Sequence, residues 1–269
     1  MSDHASNSTI STDRFPMETH DIREGCHAES WAGTNGCGAL VIHGFTGSPF
    51  SVRPVAVALA QAGFAVEMPR LPGHGTNVED MKKTTWLDWS QHVDTVFKDL
   101  AARSVRTVVV GLSLGGTLST WLGIQHPDIA GLVLVNPAVE PAAADFVELI
   151  RAAVASGTDV FPGIGADIAK PDTDELAYPE TPLVPLLTMM EHGPVLDAAL
   201  PTITMPTLYY VSTQDHVVPP SAADHYAANV NGPVERVVLE RSFHVATLDF
   251  DAQIIQDGAV EFAQKVCNL

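Results

Sequence analysis

Residues 108–116 read VVVGLSLGG. The β-branched run from Thr107 to Val110 predicts a buried strand, and GGTLSTWLGIQ at 115–125 predicts the helix that follows it. Between them lies Gly111-Leu112-Ser113-Leu114-Gly115, a Gly-x-Ser-x-Gly pattern. A strand that turns straight into a helix leaves no room for bulky side chains two residues either side of its central residue, and it strains that residue's backbone. Ser113 is thereby pushed above the sheet edge, beside a helix N-terminus whose dipole and free N–H groups favour a developing negative charge. The bare pattern also fits a merely structural Gly-rich turn. Its place between a strand and a helix is what predicts a nucleophilic serine.

The same alternation runs outward in both directions. Residues 39–42 (ALVI) predict a strand, 52–62 a helix, 64–66 a strand and 86–102 a helix. Beyond the serine, strands are predicted at 129–135, 207–212 and 235–239, with helices from Ser221 and over 254–266. Short apolar strands alternating with amphipathic helices predict an α/β fold whose mostly parallel sheet is covered by helices on both faces. Residues 137–200 break the rhythm. Phe146, Ile150 and Val154 recur at helical spacing, and after a Gly/Pro-rich loop a second apolar helix is predicted over 183–190, with no strand between the two. The expected organisation is a disordered polar tail over 1–25, a core made of 26–136 and 201–269, and a small helical cap inserted as 137–200.

The 269 residues include 46% hydrophobic and 17% charged side chains, ordinary values for a chain that buries a core. Fourteen Lys and Arg against 32 Asp and Glu give a net charge of -18, which argues against nucleic acid or an anionic membrane as partner. Half of that charge falls on the insertion, where 11 acids stand against two bases. No apolar run approaches ~20 residues and the first 25 lack the pattern of a signal peptide, so a cytoplasmic location without integral membrane association is expected. Cys26, Cys37 and Cys267 have no metal-ligand spacing; they read as small core hydrophobes or surface thiols, with a bridge between Cys26 and Cys37 left open.

A serine hydroxyl needs a base to take its proton and a third group to orient that base. In folds with such a turn, the acid and then the histidine follow later strands. Asp215 lies just past 207–212 and His244 just past 235–239, and both are assigned on that ground. His216 and His225 do not follow the last strand, where the histidine is expected, and read as peripheral. The loop His43-Gly44-Phe45-Thr46-Gly47 leaves the ALVI strand where oxyanion donors belong, so the backbone N–H groups of Phe45 and Leu114 are the candidates. His43 reads as a loop anchor and His74 as part of the same rim. Neither a zinc-binding nor a nucleotide-binding motif occurs, and no metal or cofactor is expected.

Five stretches, HGFTGSP at 43–49, PRLPGHGT at 69–76, GLSLGGTL at 111–118, DHVVPP at 215–220 and SFHVATLD at 242–249, together resemble the bacterial monoacylglycerol lipase and carboxylesterase family of α/β hydrolases. The resemblance runs from about residue 28 onward and includes DTDELAYPETP at 172–182. It departs in the longer polar amino terminus and in Leu114, where many relatives carry methionine. It implies an α/β-hydrolase fold with a small helical cap, serine ester hydrolysis of a small lipid ester, with monoacylglycerols or simple carboxyl esters preferred, and the roles assigned above to Ser113, Asp215, His244, Phe45 and Leu114. The acyl chain is expected against Phe146, Ile150, Ile164 and Leu187, which could equally serve only to pack cap on core. Glu175 is the candidate acceptor for glycerol hydroxyls, ahead of Asp172 and Asp174, although these acids could simply cap a helix. The alternatives are a broader carboxylesterase or thioesterase and, more remotely, a ligand-binding protein on the same scaffold.

Overall fold

The computed structural model describes residues 8–10, 14–163 and 165–269. Its strands are β1 (Ser8–Ile10), β2 (Glu29–Trp31), β3 (Gly38–Ile42), β4 (Ala65–Met68), β5 (Thr107–Leu112), β6 (Gly131–Val135), β7 (Val160–Pro162), β8 (Glu180–Pro182), β9 (Thr207–Ser212) and β10 (Val234–Leu239). Its α-helices are α1 (Arg53–Gln61), α2 (Val78–Met81), α3 (Trp86–Ala101), α4 (Leu114–Gln125), α5 (Ala144–Ala155), α6 (Leu183–Ala199), α7 (Ala222–Asn229) and α8 (Ala252–Cys267).

Every residue of β3, β5 and β6 is buried, as expected for strands covered on both faces. Their side chains sort with period two. Val108 and Val110 of β5, with Val133 of β6, join the buried cluster containing Ala56 of α1 and Phe262 of α8. Val109 and Leu132 point the other way, into the cluster of Trp89 from α3 and Leu118 from α4. The sheet order is β1-β2-β4-β3-β5-β6-β9-β10. From β3 to β10 the pairings are parallel, and only the β1 and β2 edge is antiparallel. The chain steps from β3 outward to β4 and returns to the opposite side of β3 with β5. That reversal opens a crevice at the carboxyl ends of the parallel strands, where ligands bind in such sheets. Among the described residues, no helix is long and apolar enough to cross a membrane.

Two sequence expectations are corrected, and a third matter that was left open is decided. The polar amino-terminal stretch is not a loose tail over its whole length. From Arg14 it straps the loop at 69–76: the Glu18 carboxylate, with its side chain fully buried, accepts from Arg70 at 2.6 and 2.8 Å and from the Gly73 N–H at 3.0 Å. Asp80 likewise accepts the backbone N–H groups of Thr19 and His20. A buried ion pair between residues so far apart leaves no periodic trace in the sequence. The rest of the expected tail, 1–7 and 11–13, lies outside the described residues. Second, the two helices after β6 are separated by strands, since β7 and β8 form an antiparallel pair; each is too short to show an alternation. The second helix also runs past 190, through Pro194, to Ala199. Third, all three cysteines are free and buried, so the Cys26 to Cys37 bridge does not form and none is a surface thiol. Cys37 packs instead in the same cluster as Cys267.

Removing one member of a buried ion pair takes away a charge that offsets the desolvation of the other. Glu18→Ala is therefore expected to lower the free energy of unfolding by about 3 to 5 kcal/mol, measured by urea denaturation. A change below about 1 kcal/mol, the worth of an exposed ion pair, would show that water reaches Arg70 once Glu18 is gone.

Candidate active site

The turn between β5 and α4 places Ser113 at φ 53° and ψ -119°, a positive-φ conformation that a serine adopts only when its surroundings impose it. The imposing contacts are backbone ones. A Cβ on Gly111 would stand 2.1 Å from the Gly115 carbonyl oxygen, and a Cβ on Gly115 would stand 2.1 Å from that of Ile42 in β3. Helix and strand thus approach at a distance that only hydrogen side chains permit. Gly44 is also close, since a Cβ there would lie 3.4 Å from the Ser113 Cβ. The β3 loop is therefore drawn directly over the serine.

Asp215 and His244 come together behind it. His244 Nδ1 donates to Asp215 Oδ2 at 2.8 Å, with side-chain exposures of 8% and 2%. Asp215 Oδ1 accepts the N–H groups of Val217 and Val218, both at 2.8 Å, so the carboxylate is held from two sides. With Nδ1 committed to Asp215, Nε2 of His244 is the ring nitrogen that remains for proton transfer, and His244 lines the same cavity as Ser113. Asn136, the first residue past β6, locks the frame. Its amide donates to Ser212 Oγ at 2.9 Å and to the His244 carbonyl at 2.8 Å, while its oxygen accepts the Ser212 N–H at 2.8 Å. Nothing in the sequence singled out Asn136.

Phe45 and Leu114 flank the serine on the same cavity, and no protein acceptor takes either N–H among the described residues. Beneath them His43 anchors the loop as expected. Its Nδ1 donates to the Gly44 carbonyl at 2.9 Å and its Nε2 accepts the Leu71 N–H at 3.1 Å. Burial holds the His43 pKa well below the ordinary imidazole value, so the ring stays neutral. His74 differs from expectation. It is fully buried below the rim, edge-on to His43 and Trp89, and burial lowers its pKa to about 3.

The cavity has a volume of about 870 Å³ and is bounded by the segment between β6 and β9. Phe146, Ile150 and Glu175 line it with Ser113 and His244. Leu187 does not; on α6 the wall is made by Leu186, Met189 and Met190, one step round the helix from the expected face. Ile164 lies outside the described residues. Trp86 and His192, stacked with ring centroids 4.5 Å apart, add an aromatic wall that nothing in their spacing announced. Asp172 and Asp174 border a separate hollow with Lys170, and Asp174 accepts the Leu176 N–H, so neither faces the serine.

Glu175 is the outlying charge. Its carboxylate lies over Gly47, 3.4 Å from where a Cβ of that residue would stand, and the residue is only 9% exposed. Burial raises its pKa to about 7, opposed by the nearby His244 and reinforced by Asp174 and Asp167.

A strained serine on a strand-to-helix turn, a histidine paired with a buried carboxylate, and two unclaimed N–H groups at the carboxyl ends of a parallel sheet are the features of an α/β hydrolase. The chain belongs to the Hydrolase_4 family, whose model, described as serine aminopeptidase S33, matches residues 38–251. It is 42% identical over 243 residues to a thermostable monoacylglycerol lipase of Bacillus sp. (strain H-257), covering 88% of this chain and 95% of that protein. It is 26% identical to a carboxylesterase of Bacillus subtilis (strain 168), over 84% of this chain and 92% of the other. A solved structure from work on the metagenome-derived lipolytic enzymes LipS and LipT superposes with a TM-score of 0.85 at 36% identity, covering 91% of this chain and all of that one.

The raised Glu175 pKa has a consequence for stability. The folded protein keeps this proton up to about pH 7, whereas the unfolded chain releases it in the usual carboxylate range. Between those limits the native state binds more protons, so the Glu175 contribution to stability falls as pH rises. Glu175→Gln cannot ionise. Relative to wild type it should melt higher at pH 8 than at pH 5, measured by thermal unfolding of both proteins at each pH; an equal offset at the two would contradict the shift.

Proposed function

We propose that this hydrolase cleaves monoacylglycerols to fatty acid and glycerol, with Ser113 as nucleophile, His244 as base and Asp215 as the acid that orients it. The observation that carries the reading is the His244 to Asp215 hydrogen bond of 2.8 Å behind a serine at φ 53° on one cavity. In this mechanism Ser113 Oγ attacks the ester carbonyl as its proton passes to His244 Nε2. The tetrahedral oxygen takes hydrogen bonds from the N–H groups of Phe45 and Leu114, with the amino end of α4 beneath it. Collapse expels glycerol, protonated by His244, and leaves the acyl group on Ser113. Water, deprotonated by His244, then releases the fatty acid and restores the serine.

The substrate class follows from what surrounds the reacting atoms. Phe146 and Ile150, joined by Met189 and Met190, offer an apolar wall for one acyl chain, while Glu175 puts one polar group near the ester. We assign residues 137–200 the part of a cap over that chain and Glu175 the part of acceptor for the free glycerol hydroxyls. The relatives named monoacylglycerol lipase and carboxylesterase support ester hydrolysis of this kind. A broader carboxylesterase or thioesterase would use the same three residues but would draw no benefit from Glu175. Three cysteines, none in a disulfide, suit a reducing compartment such as the cytoplasm.

Ser113→Ala and His244→Ala should each leave a folded protein whose turnover falls by about four to six orders of magnitude, with the double variant little worse, because nucleophile and base act as a unit. Titration of released fatty acid checks this, and substantial turnover by Ser113→Ala would overturn the nucleophile assignment. Loss of a hydroxyl acceptor costs about 1 to 3 kcal/mol. Glu175→Ala should therefore lower kcat/KM for a monoacylglycerol by roughly 5- to 150-fold and scarcely affect the methyl ester of the same acid. Equal losses on both substrates would make Glu175 a support for the cap rather than a reader of glycerol.

A further inference from the structure

Asp167 lies in the segment between β7 and β8, far in sequence from the assigned acid and base, yet its carboxylate joins the loops that carry both. Oδ2 accepts the His244 N–H at 3.1 Å and the His216 N–H at 3.2 Å. Oδ1 accepts from His216 Nδ1 at 2.7 Å, and the Asp167 carbonyl accepts the Val245 N–H at 3.1 Å. One residue therefore binds the backbone of the base itself and that of the residue after Asp215. Its side chain is 11% exposed, and the His216 ring it holds rests edge-on against Phe243 at 4.6 Å. A second clasp lies alongside, where Asp249 accepts from Ala169 at 2.7 Å, Lys170 at 3.0 Å and Phe243 at 2.9 Å. Gly165 and the pair Val217 and Val218 border the cavity, so this junction also ties the cavity wall to the base.

We infer that Asp167 is a positioning residue for the reaction: its hydrogen bonds set the relative placement of the Asp215 and His244 loops. The inference rests on the roles proposed above for those two residues. The β9 and β10 strands from which the loops spring are neighbours in the sheet, but their loops extend beyond the last ladder bonds and need their own tie. Both backbone donors converge on the same carboxylate oxygen. The function therefore asks for an acceptor at that point and not for a charge. An asparagine can supply it, with its amide N–H facing the other tautomer of His216. Alanine supplies nothing.

The test uses the full chain, a medium-chain p-nitrophenyl ester and a fluorophosphonate, which phosphonylates the nucleophilic serine oxygen with loss of fluoride and the serine proton. Asp167→Ala should lower kcat between about 10- and 100-fold, leave KM within about twofold, and slow fluorophosphonate labelling in proportion to kcat. Asp167→Asn should recover most of that loss. Should alanine fail to fold, Asp167→Ser carries the same expectation, because its short hydroxyl cannot reach both loops. Asparagine falling as far as alanine, or a folded alanine variant that labels at the wild-type rate, would overturn the inference. Ser113→Ala run in parallel separates the two readings. If it still turns over and labels, the nucleophile assignment has failed. If it is inert while Asp167→Ala behaves as wild type, only the role of Asp167 has failed.

Discussion

Everything at the site depends on how closely the backbone of α4 passes the end of β3. Gly115 lies against the Ile42 carbonyl at a distance no Cβ could occupy, and Gly111 lies equally close to Gly115 itself. That approach compresses the turn, puts Ser113 into a positive-φ conformation and brings the loop 43–47 over it. The strain is sustained because β3, β5 and β6 are buried along their whole length and cannot shift to relieve it. The same geometry leaves the Phe45 and Leu114 N–H groups without acceptors among the described residues, a cost that folding alone does not reward. Both features suit a place where negative charge develops on a substrate.

The chain's excess of acid has a structural side that net charge conceals. Asp80, Asp167, Asp215, Asp249 and Asp251 each accept at least one backbone N–H across a loop, so much of the acidity serves to fix segments that lie outside the sheet ladder. Carboxylates suit this work because they are strong acceptors with several lone-pair directions. Glu175 is the exception. Buried, and with no backbone donor among the described residues to offset its desolvation, it holds its proton up to about pH 7.

Much of the fold was legible in the sequence. The β-branched run before Ser113 and the glycines flanking it are local signals, because a strand's burial and a turn's steric limits are written in the residues that compose them. The order of Ser113, Asp215 and His244 along the chain was legible for a related reason, since each follows a strand end and parallel strands bring their carboxyl ends to one edge. The short strands β1, β2, β7 and β8, by contrast, have three residues each and no pattern long enough to read.

What only the tertiary structure decided was which distant groups meet. Glu18 with Arg70, Asn136 with His244, and Asp167 with both His216 and His244 are polar contacts between residues separated by tens of positions, and hydrogen bonding has no periodicity to betray it. The choice of Leu186 over Leu187 for the cavity wall was equally inaccessible, because the apolar residues of α6 are not gathered on one face and its phase is set by what it packs against. The sequence alone therefore determined the sheet, the strained serine and the strand ends beyond which Asp215 and His244 lie, all consequences of local sterics and burial. The long-range packing of loops determined how those side chains are held and what kind of cavity they face.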